Sequence, residues 1–339
     1  MSSFWKRNTA TLIFLVLVYI WFLIFHVVPH PLSLQVLGAD NNITLFEQPD
    51  AGRQPIVDAI DNARQEVLVE VYLLSDKKVI EALDSAENRG VSVKVMLEEH
   101  PFGGGNLNAL SEKTLREKGV LVKWTNPSFS LTHEKAIVID AQEAFVLNQN
   151  LTAAAFTKNR EYDVFDTNPQ DVSEIRNIFI ADWQRNSFNP SSTHLIVSPV
   201  NSRAALTTLI KSAIRSIDIE MEYVEDKDIV ALLSDRARNI EIRLIIPTFS
   251  QFPSNKKGTQ ELADAGVAVK TLSSPYIHAK MIMADGVKAY VGSVNLSTQS
   301  MDENRELGIM ITEEDSIRKI NETFSKDWEA GSQIYQNTN

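Results

Sequence analysis

A pattern of polar residues occurs twice in this chain of 339 residues, and this repeat is the strongest constraint on its fold. The segments THEKAIVIDAQEAFVLNQNLT (132–152) and IHAKMIMADGVKAYVGSVNLS (277–297) place a histidine, a lysine, an aspartate and an asparagine at the same spacing. An Asn-Arg-Glu triplet follows each segment at the same distance, at 159–161 and 304–306. A repeat of this length indicates two copies of one structural unit.

The stretches around the two motifs also match, and they predict alternating strands and helices. Apolar residues at every second position are typical of strands, and apolar residues three or four apart are typical of helices. The matched stretches lie at 66–72 and 216–222, at 77–88 and 227–238, and at 91–97 and 240–246. We therefore expect an α/β fold in which each half continues with a strand pair that carries the motif. A closing helix then ends each half, near 170–185 and 313–328.

The boundary between the halves follows from local composition. The stretch RNSFNPSSTH (185–194) is rich in Asn, Ser and Pro, which favour loops, so we expect it to join the two units. The first half then covers 43–188 and the second half covers 189–332. The fold expected is two pseudo-symmetric α/β/α halves packed together, and two halves in one chain predict a monomer.

The N-terminal region has a different character from the rest of the chain. Residues 11–28 read TLIFLVLVYIWFLIFHVV, contain no Asp, Glu, Lys or Arg, and would span about 27 Å as a helix. Lys6 and Arg7 precede this stretch, and prolines follow it at 29 and 31. The pattern predicts a single transmembrane anchor within residues 1–28 and a tether over 29–42, with a cleaved signal peptide as the alternative. The positive residues predict a cytoplasmic N-terminus and a main domain on the extracytoplasmic side of the cell membrane.

Composition excludes some kinds of site. The chain has no cysteine, so disulfides, zinc sites built on thiolates and a cysteine nucleophile are excluded. The formal net charge is −11 at pH 7, and an acidic chain is a poor general binder of long nucleic acids, which usually meet a basic face.

The repeated residues themselves indicate an anion site. A histidine and a lysine two positions apart point to the same face of a strand, and a lysine at the start of a buried strand requires a negative partner. Lysine is a poor metal ligand and repels cations, so we expect neither a metal nor a cofactor here. Two histidines and two lysines together favour a phosphoryl group.

The motifs resemble the pattern H-x-K-x4-D-x6-G-S-x-N of the phospholipase D superfamily. The second copy matches at His278, Lys280, Asp285, Gly292, Ser293 and Asn295. The first copy matches at His133, Lys135, Asp140 and Asn150, but has Leu147 and Asn148 in place of Gly-Ser. The resemblance covers nearly the whole chain after residue 40.

The resemblance implies one active site shared by both motifs. His133 would attack phosphorus and form a phosphohistidine, and His278 would protonate the leaving alcohol and then activate water or an acceptor alcohol. Lys135 and Lys280 would stabilise the charge of the transition state, without a metal. The predicted phosphate-binding residues are Asn148, Asn150, Ser293 and Asn295.

Two further pairs of carboxylates have expected roles. We expect Glu161 and Glu306 each to accept a hydrogen bond from an imidazole N–H and to fix its tautomer; the alternative is surface pairing with Arg160 or Arg305. Asp140 and Asp285 end the motif strands, so we expect them to hold a turn rather than to contact substrate.

The function expected is therefore that of a phospholipase D-type phosphodiesterase or phosphatidyltransferase acting on phospholipids, as in the phospholipase D and cardiolipin synthase branches. The membrane anchor and the acidic domain favour lipid. One alternative is a membrane-tethered nuclease of the same superfamily that needs no metal. Another is a scaffold without enzymatic activity, which two intact motifs oppose.

Overall fold

The structure is a computed structural model, and it describes residues 42–334. The predicted anchor at 11–28 and the tether, apart from Asn42, lie outside the described residues. Within 42–334, the helices are all too short or too polar to cross a membrane.

The first half follows the predicted alternation of strands and helices. Its elements are β1 (Ile43–Gln48), α1 (Gln54–Asn62), β2 (Glu66–Val71), α2 (Lys77–Asn88), β3 (Ser92–Leu97), α3 (Leu107–Glu117), β4 (Leu121–Trp124), β5 (Lys135–Ile139), β6 (Glu143–Val146), α4 (Ala153–Lys158), β7 (Asn159–Asp166) and α5 (Pro169–Gln184). Asp76 starts α2 by accepting backbone hydrogen bonds from Lys78 and Val79, and Asn168 caps α5 in the same way.

The second half repeats this order. Its elements are β8 (Leu195–Ser198), α6 (Ser202–Ser212), β9 (Ser216–Met221), α7 (Lys227–Arg236), β10 (Glu241–Pro247), α8 (Asn255–Asp264), β11 (Ala268–Leu272), β12 (Tyr276–Ile277), β13 (Lys280–Ala284), β14 (Lys288–Gly292), α9 (Thr298–Asp302), β15 (Glu306–Ile311), α10 (Glu314–Ala330) and β16 (Ser332–Gln333). The expectation of two α/β halves is confirmed. The elements absent from the prediction are β1 and α1, β8 and α6, α4 and α9, β7 and β15, and the two-residue strands β12 and β16.

Each half builds its own mixed sheet. The strand order is β1-β7-β6-β5-β2-β3-β4 in the first sheet, where β12 also pairs with β7, and β16-β11-β10-β9-β13-β14-β15-β8 in the second. The three strands β2, β3 and β4 run parallel, and the motif hairpin of β5 and β6 is antiparallel. Because β5 pairs with β2 on one side and β6 on the other, the motif strand lies inside the sheet.

The apolar side chains form three layers. One cluster lies between the first sheet and helices α1 to α3, and a matching cluster lies on the outer face of the second sheet. The third cluster combines residues of both sheets with the closing helices, for example Val138, Met281, Ile178 and Phe324. This shared core lies between the two sheets. One face of each motif strand is therefore buried between the halves.

Candidate active site

The backbone just before each histidine pairs with the opposite half. Strand β12 runs parallel to the start of β7, and Thr132 forms the equivalent bridge to Arg305. As a result, the amide of His133 donates to the carbonyl of Arg305 over 2.9 Å, and the amide of His278 donates to Arg160 over 3.3 Å. Each histidine therefore lies beside the Asn-Arg-Glu triplet of the other half.

This backbone exchange pairs each imidazole with the opposite glutamate. Nδ1 of His133 lies 2.9 Å from Oε2 of Glu306, and Nδ1 of His278 lies 2.7 Å from Oε2 of Glu161. Both carboxylates are fully buried. An ionised carboxylate only accepts hydrogen bonds, so Nδ1 carries the hydrogen in each ring and Nε2 is the nitrogen left for chemistry.

The glutamates are themselves held by the asparagines of their triplets. The amide of Asn159 donates to Oε1 of Glu161 over 2.9 Å, and Asn304 donates to Oε1 of Glu306 over 3.1 Å. Burial alone would raise the pKa of Glu306, but the charge of His133 and its hydrogen bond lower it below the usual value. The carboxylate that faces His133 is therefore ionised at neutral pH.

The two motif lysines are fully buried, and their environments differ. Lys135 donates to the carbonyl of His133 over 2.5 Å, and Lys280 donates to the carbonyl of His278 over 2.7 Å. Lys280 also forms an ion pair of 2.8 Å with Glu222, whereas Lys135 lies 5.3 Å from the ring centre of Tyr72.

These environments set the charges of the site. Burial lowers the pKa of Lys135 to about 7 and lowers the pKa of His133 below its usual value. Burial opposes ionisation of Glu222, but the charges of His278 and Lys280 lower its pKa to about 2. Without substrate, the ion pair of Glu222 and Lys280 is therefore charged beside His278, whereas Lys135 beside His133 loses its charge near pH 7.

The motif asparagines after the second strand of each hairpin present polar atoms without partners. Oδ1 of Asn150 and Oδ1 of Asn295 are buried and accept no hydrogen bond within the described part of the chain. A buried amide oxygen without a partner is uncommon, but it is an acceptor, so by itself it does not bind a phosphate oxygen. Their role in holding phosphate stays a prediction.

Asn148 requires a correction, because its side chain is used for packing between the halves. Its amide nitrogen donates to the carbonyls of Gly292 and Lys280, and its oxygen accepts from the amide of Lys280 over 3.2 Å. Ser293 is similarly engaged, since its hydroxyl donates to the carbonyl of Leu307 over 3.1 Å and accepts from the Leu307 amide. Both side chains are fully buried, which leaves Asn148 no donor for a phosphate oxygen.

The motif aspartates lie at the far ends of their strands. Asp140 accepts hydrogen bonds from the amides of Arg64, Gln65 and Glu66, and Asp285 accepts from the three equivalent amides at 214–216. Both have a positive φ, near 55°. Their contacts hold a turn.

The triplet arginines form buried ion pairs rather than surface pairs with the glutamates. Arg160 donates to both carboxylate oxygens of Asp327, and Arg305 donates to Asp182 over 3.1 Å. Asp327 lies on α10 and Asp182 on α5, so each closing helix is tied to the triplet of the other half. The alternative pairing considered from the sequence is therefore wrong.

Three buried carboxylates lie behind the first motif strand. Oxygens of Glu70, Glu134 and Asp182 lie within 4.8 Å of one another, which is the candidate metal cluster of the described residues. The guanidinium of Arg305 occupies this region as a cation, and burial raises the pKa of Glu134 to about 8. Carboxyl groups that share an arginine and keep a proton are poor ligands for a metal.

Sequence reasoning missed Glu222 and Tyr72 as residues of the site. They occupy the same position in the matched stretches 66–72 and 216–222, directly after β2 and β9. The mismatch of a tyrosine with a glutamate in an otherwise similar stretch was the available signal.

Two imidazoles paired with opposite glutamates between two matching sheets define an enzyme of the phospholipase D type. The chain belongs to the family described as "Cardiolipin synthase, PLD-like domain", whose model matches residues 56–183 and 206–328. The resemblance drawn from the motifs is confirmed.

Curated relatives agree with this assignment. The chain is 24% identical to cardiolipin synthase 1 of Staphylococcus epidermidis, over 86% of this chain and 69% of that protein. It is 25% identical to cardiolipin synthase 2 of Bacillus anthracis, over 83% of this chain and 63% of that protein. The chain thus spans about two thirds of the length of these relatives.

The similar solved structures share the fold at low identity. Phosphatidylserine synthase from Haemophilus influenzae matches with a TM-score of 0.66 at 11% identity, over 86% of this chain and 87% of that one. Polyphosphate kinase from Porphyromonas gingivalis matches with a TM-score of 0.69 at 15% identity, over 86% of this chain and 48% of that one.

Proposed function

We propose that this protein is a phosphatidyltransferase that moves the phosphatidyl group of a phospholipid to an alcohol through a phosphohistidine, with water as a competing acceptor. The observation that carries the proposal is the exchange of glutamates, which presents Nε2 of both motif histidines for chemistry beside two buried lysines. The family and the names of the relatives supply the lipid.

The reaction has two steps of the same form. Nε2 of His133 attacks phosphorus and the P–O bond to the leaving alcohol breaks, while Nε2 of His278 gives its proton to the leaving oxygen. The acceptor alcohol then loses its proton to His278 and attacks phosphorus, and the N–P bond breaks. The enzyme returns to its starting state, because one proton leaves and one returns.

The lysines and asparagines serve the transition state. Lys135 and Lys280 place positive charge beside the non-bridging oxygens, in a site shielded from water where such charge is most effective. Asn150 and Asn295 would donate from their amide N–H groups to these oxygens, since their Oδ1 atoms form no hydrogen bond that fixes the orientation of the amide.

The experiment is an assay of the purified full chain with phosphatidylglycerol as the lipid and EDTA present. We expect cardiolipin and free glycerol as products, and we expect His133→Ala and His278→Ala each to abolish them. Phosphatidic acid alone would show a hydrolase of the same type. Cleavage of single-stranded DNA, with no change in the lipid, would contradict the proposal.

We also propose that residues 11–28 anchor the protein to the membrane and that the domain acts as a monomer. The apolar stretch and its flanking charges support the anchor. The full chain should remain in the membrane fraction after a high-salt wash, and a chain starting at residue 42 should be released. Recovery of the full chain in the soluble fraction would contradict the anchor.

A further inference from the structure

The two halves of the site differ at one position directly after the strand that pairs with the motif strand. Tyr72 follows β2 in the first half, and Glu222 follows β9 in the second half. The motif histidines, lysines and asparagines are the same in both halves. This position therefore breaks the symmetry of the reacting groups.

Glu222 lies against both motif side chains of its half. Its Oε2 is 2.8 Å from Nζ of Lys280 and 3.6 Å from Nε2 of His278. Its other oxygen, Oε1, accepts a hydrogen bond of 3.0 Å from the hydroxyl of Tyr276. The carboxylate is held from two sides and faces the imidazole nitrogen that is left for chemistry.

Tyr72 gives the first half a neutral neighbour instead. Its ring meets the ring of His133 edge to face, with centres 4.8 Å apart, and its hydroxyl contacts the backbone of Phe102 over 3.4 Å. Among the described residues, Glu306 on the Nδ1 side is the one carboxylate within 4.0 Å of a ring nitrogen of His133.

We propose that Glu222 is a positioning residue that holds a proton on Nε2 of His278 and so makes His278 the general acid and His133 the nucleophile. This inference rests on the proposed function. A carboxylate near Nε2 favours the imidazolium form, which can donate to a leaving oxygen but cannot attack phosphorus. His133, whose ring contacts that of neutral Tyr72, keeps a lone pair for attack.

The other charged groups around His278 leave this role to Glu222. Glu161 from β7 contacts Nδ1, on the opposite side of the ring, and it has its counterpart Glu306 in the other half. Lys280 from β13 and Lys135 from the first half are the basic groups that oppose a proton on His278, and His133 is kept neutral because burial lowers its pKa. Tyr276 from β12 is neutral because burial and Glu222 raise its pKa far above the usual value.

A simpler role for Glu222 is to neutralise Lys280, and substrates with different leaving groups separate the two roles. An alkyl alcohol requires a proton to leave, whereas 4-nitrophenolate leaves without one. Loss of the general acid therefore lowers the turnover of phosphatidylglycerol but leaves the cleavage of an aryl phosphodiester nearly unchanged. Loss of a phosphate contact slows both substrates alike.

The test uses Glu222→Gln in the full chain, with pre-steady-state release of 4-nitrophenolate from bis(4-nitrophenyl) phosphate as the second assay. We expect kcat on phosphatidylglycerol to fall 10- to 100-fold while the burst rate changes less than threefold. Glu222→Asp should restore part of the loss, and Glu225→Gln, at an exposed position three residues further on, should leave both assays unchanged.

Mass spectrometry of the quenched burst identifies the nucleophile independently. We expect the phosphoryl adduct on the peptide that contains His133 in the native chain and in Glu222→Gln. An adduct on His278, or equal losses with both substrates, overturns the inference and leaves the proposed function intact. If the native chain forms no adduct and converts neither substrate, the proposed function is contradicted as well.

Discussion

The loop after the second motif strand is built differently in the two halves. In the second half, a Cβ added to Gly292 would lie 2.3 Å from Cα of Gly308 and 2.8 Å from the hydroxyl of Tyr290, so no side chain fits. In the first half the same position is Leu147, which is buried in the outer apolar cluster together with Phe145, the counterpart of Tyr290. The glycine of the motif is therefore required by the close approach of the β15 backbone at Gly308 and by the packing of Tyr290.

The next residue shows the same contrast. The side chain of Ser293 bonds within its own half, to the backbone of Leu307, whereas the side chain of Asn148 reaches across and bonds the backbone of Gly292 and Lys280. The departure of the first motif from Gly-Ser thus exchanges a local contact for one between the halves. The motif histidines, lysines and asparagines are the same in both halves, whereas the Gly-Ser pair and its contacts are not.

The largest expected effects test the exchange of glutamates. Glu161→Gln and Glu306→Gln should each lower turnover of phosphatidylglycerol by about 10⁴-fold, because an imidazole without its carboxylate takes the wrong tautomer. With the aryl phosphodiester, only Glu306→Gln should lose the burst, since Glu306 serves the nucleophile. Rapid-quench measurement of both variants checks this, and a burst lost in Glu161→Gln but kept in Glu306→Gln would reverse the pairing.

The next largest effects are expected for the two motif lysines, whose replacement should affect turnover differently in the two halves. Lys135→Met and Lys280→Met each remove a cation from the transition state, which costs about 10²- to 10³-fold in kcat. Lys280→Met should be the worse by about tenfold, because it leaves the Glu222 carboxylate unpaired beside the phosphate. In a double-mutant cycle, Lys280→Met with Glu222→Gln should lose less than the product of the single losses. Additive losses would mean that the ion pair has no role in turnover.

The lowered pKa of Lys135 predicts a pH dependence for anion binding. The pKa of Lys135 is about 7, so above this pH its amine is neutral in the free protein. An anion that needs the positive charge can then bind only if Lys135 also takes up a proton. The affinity for sulfate, whose own charge is constant here, should fall about tenfold per pH unit from pH 7 to 9. Inhibition constants measured over this range check the slope. Lys135→Arg is the control, because arginine stays charged, and an equal slope in that variant would assign the proton elsewhere.

The smallest effect concerns the interface itself. Asn148→Ser removes the hydrogen bonds across the interface and should lower the free energy of unfolding by about 1–3 kcal/mol, whereas Ser293→Ala should cost about 1 kcal/mol. Urea unfolding of the two variants measures the difference. An equal cost would show that the two halves hold this loop equally well.

Much of the fold could be predicted from the sequence because a repeat shows each element twice. The hairpins, the closing helices and the matched strands were found in this way. The four-residue strand β8 and the short helices α4 and α9 were missed, because so few residues show no clear periodicity.

The residues of the site could be predicted from the sequence more readily than the contacts between them. Histidine, lysine and glutamate could be identified as a set, but Glu161 and Glu306 have the same spacing from their histidines, so spacing cannot reveal that they exchange partners. The contacts of Asn148 depend on how closely the two hairpins approach, which is a property of the packed halves. Glu222 was hidden because it lies at a position where the repeat fails.

The exchange of carboxylates has a consequence for the history of the molecule. Since neither copy can complete its own imidazole, an ancestral single unit would have worked only by meeting a second molecule of itself. With both copies in one polypeptide, the meeting of the two units is permanent and does not depend on concentration. This arrangement also allows the two copies to differ in sequence. Tyr72 in one half and Glu222 in the other give the two histidines different neighbours, which two identical molecules could not do.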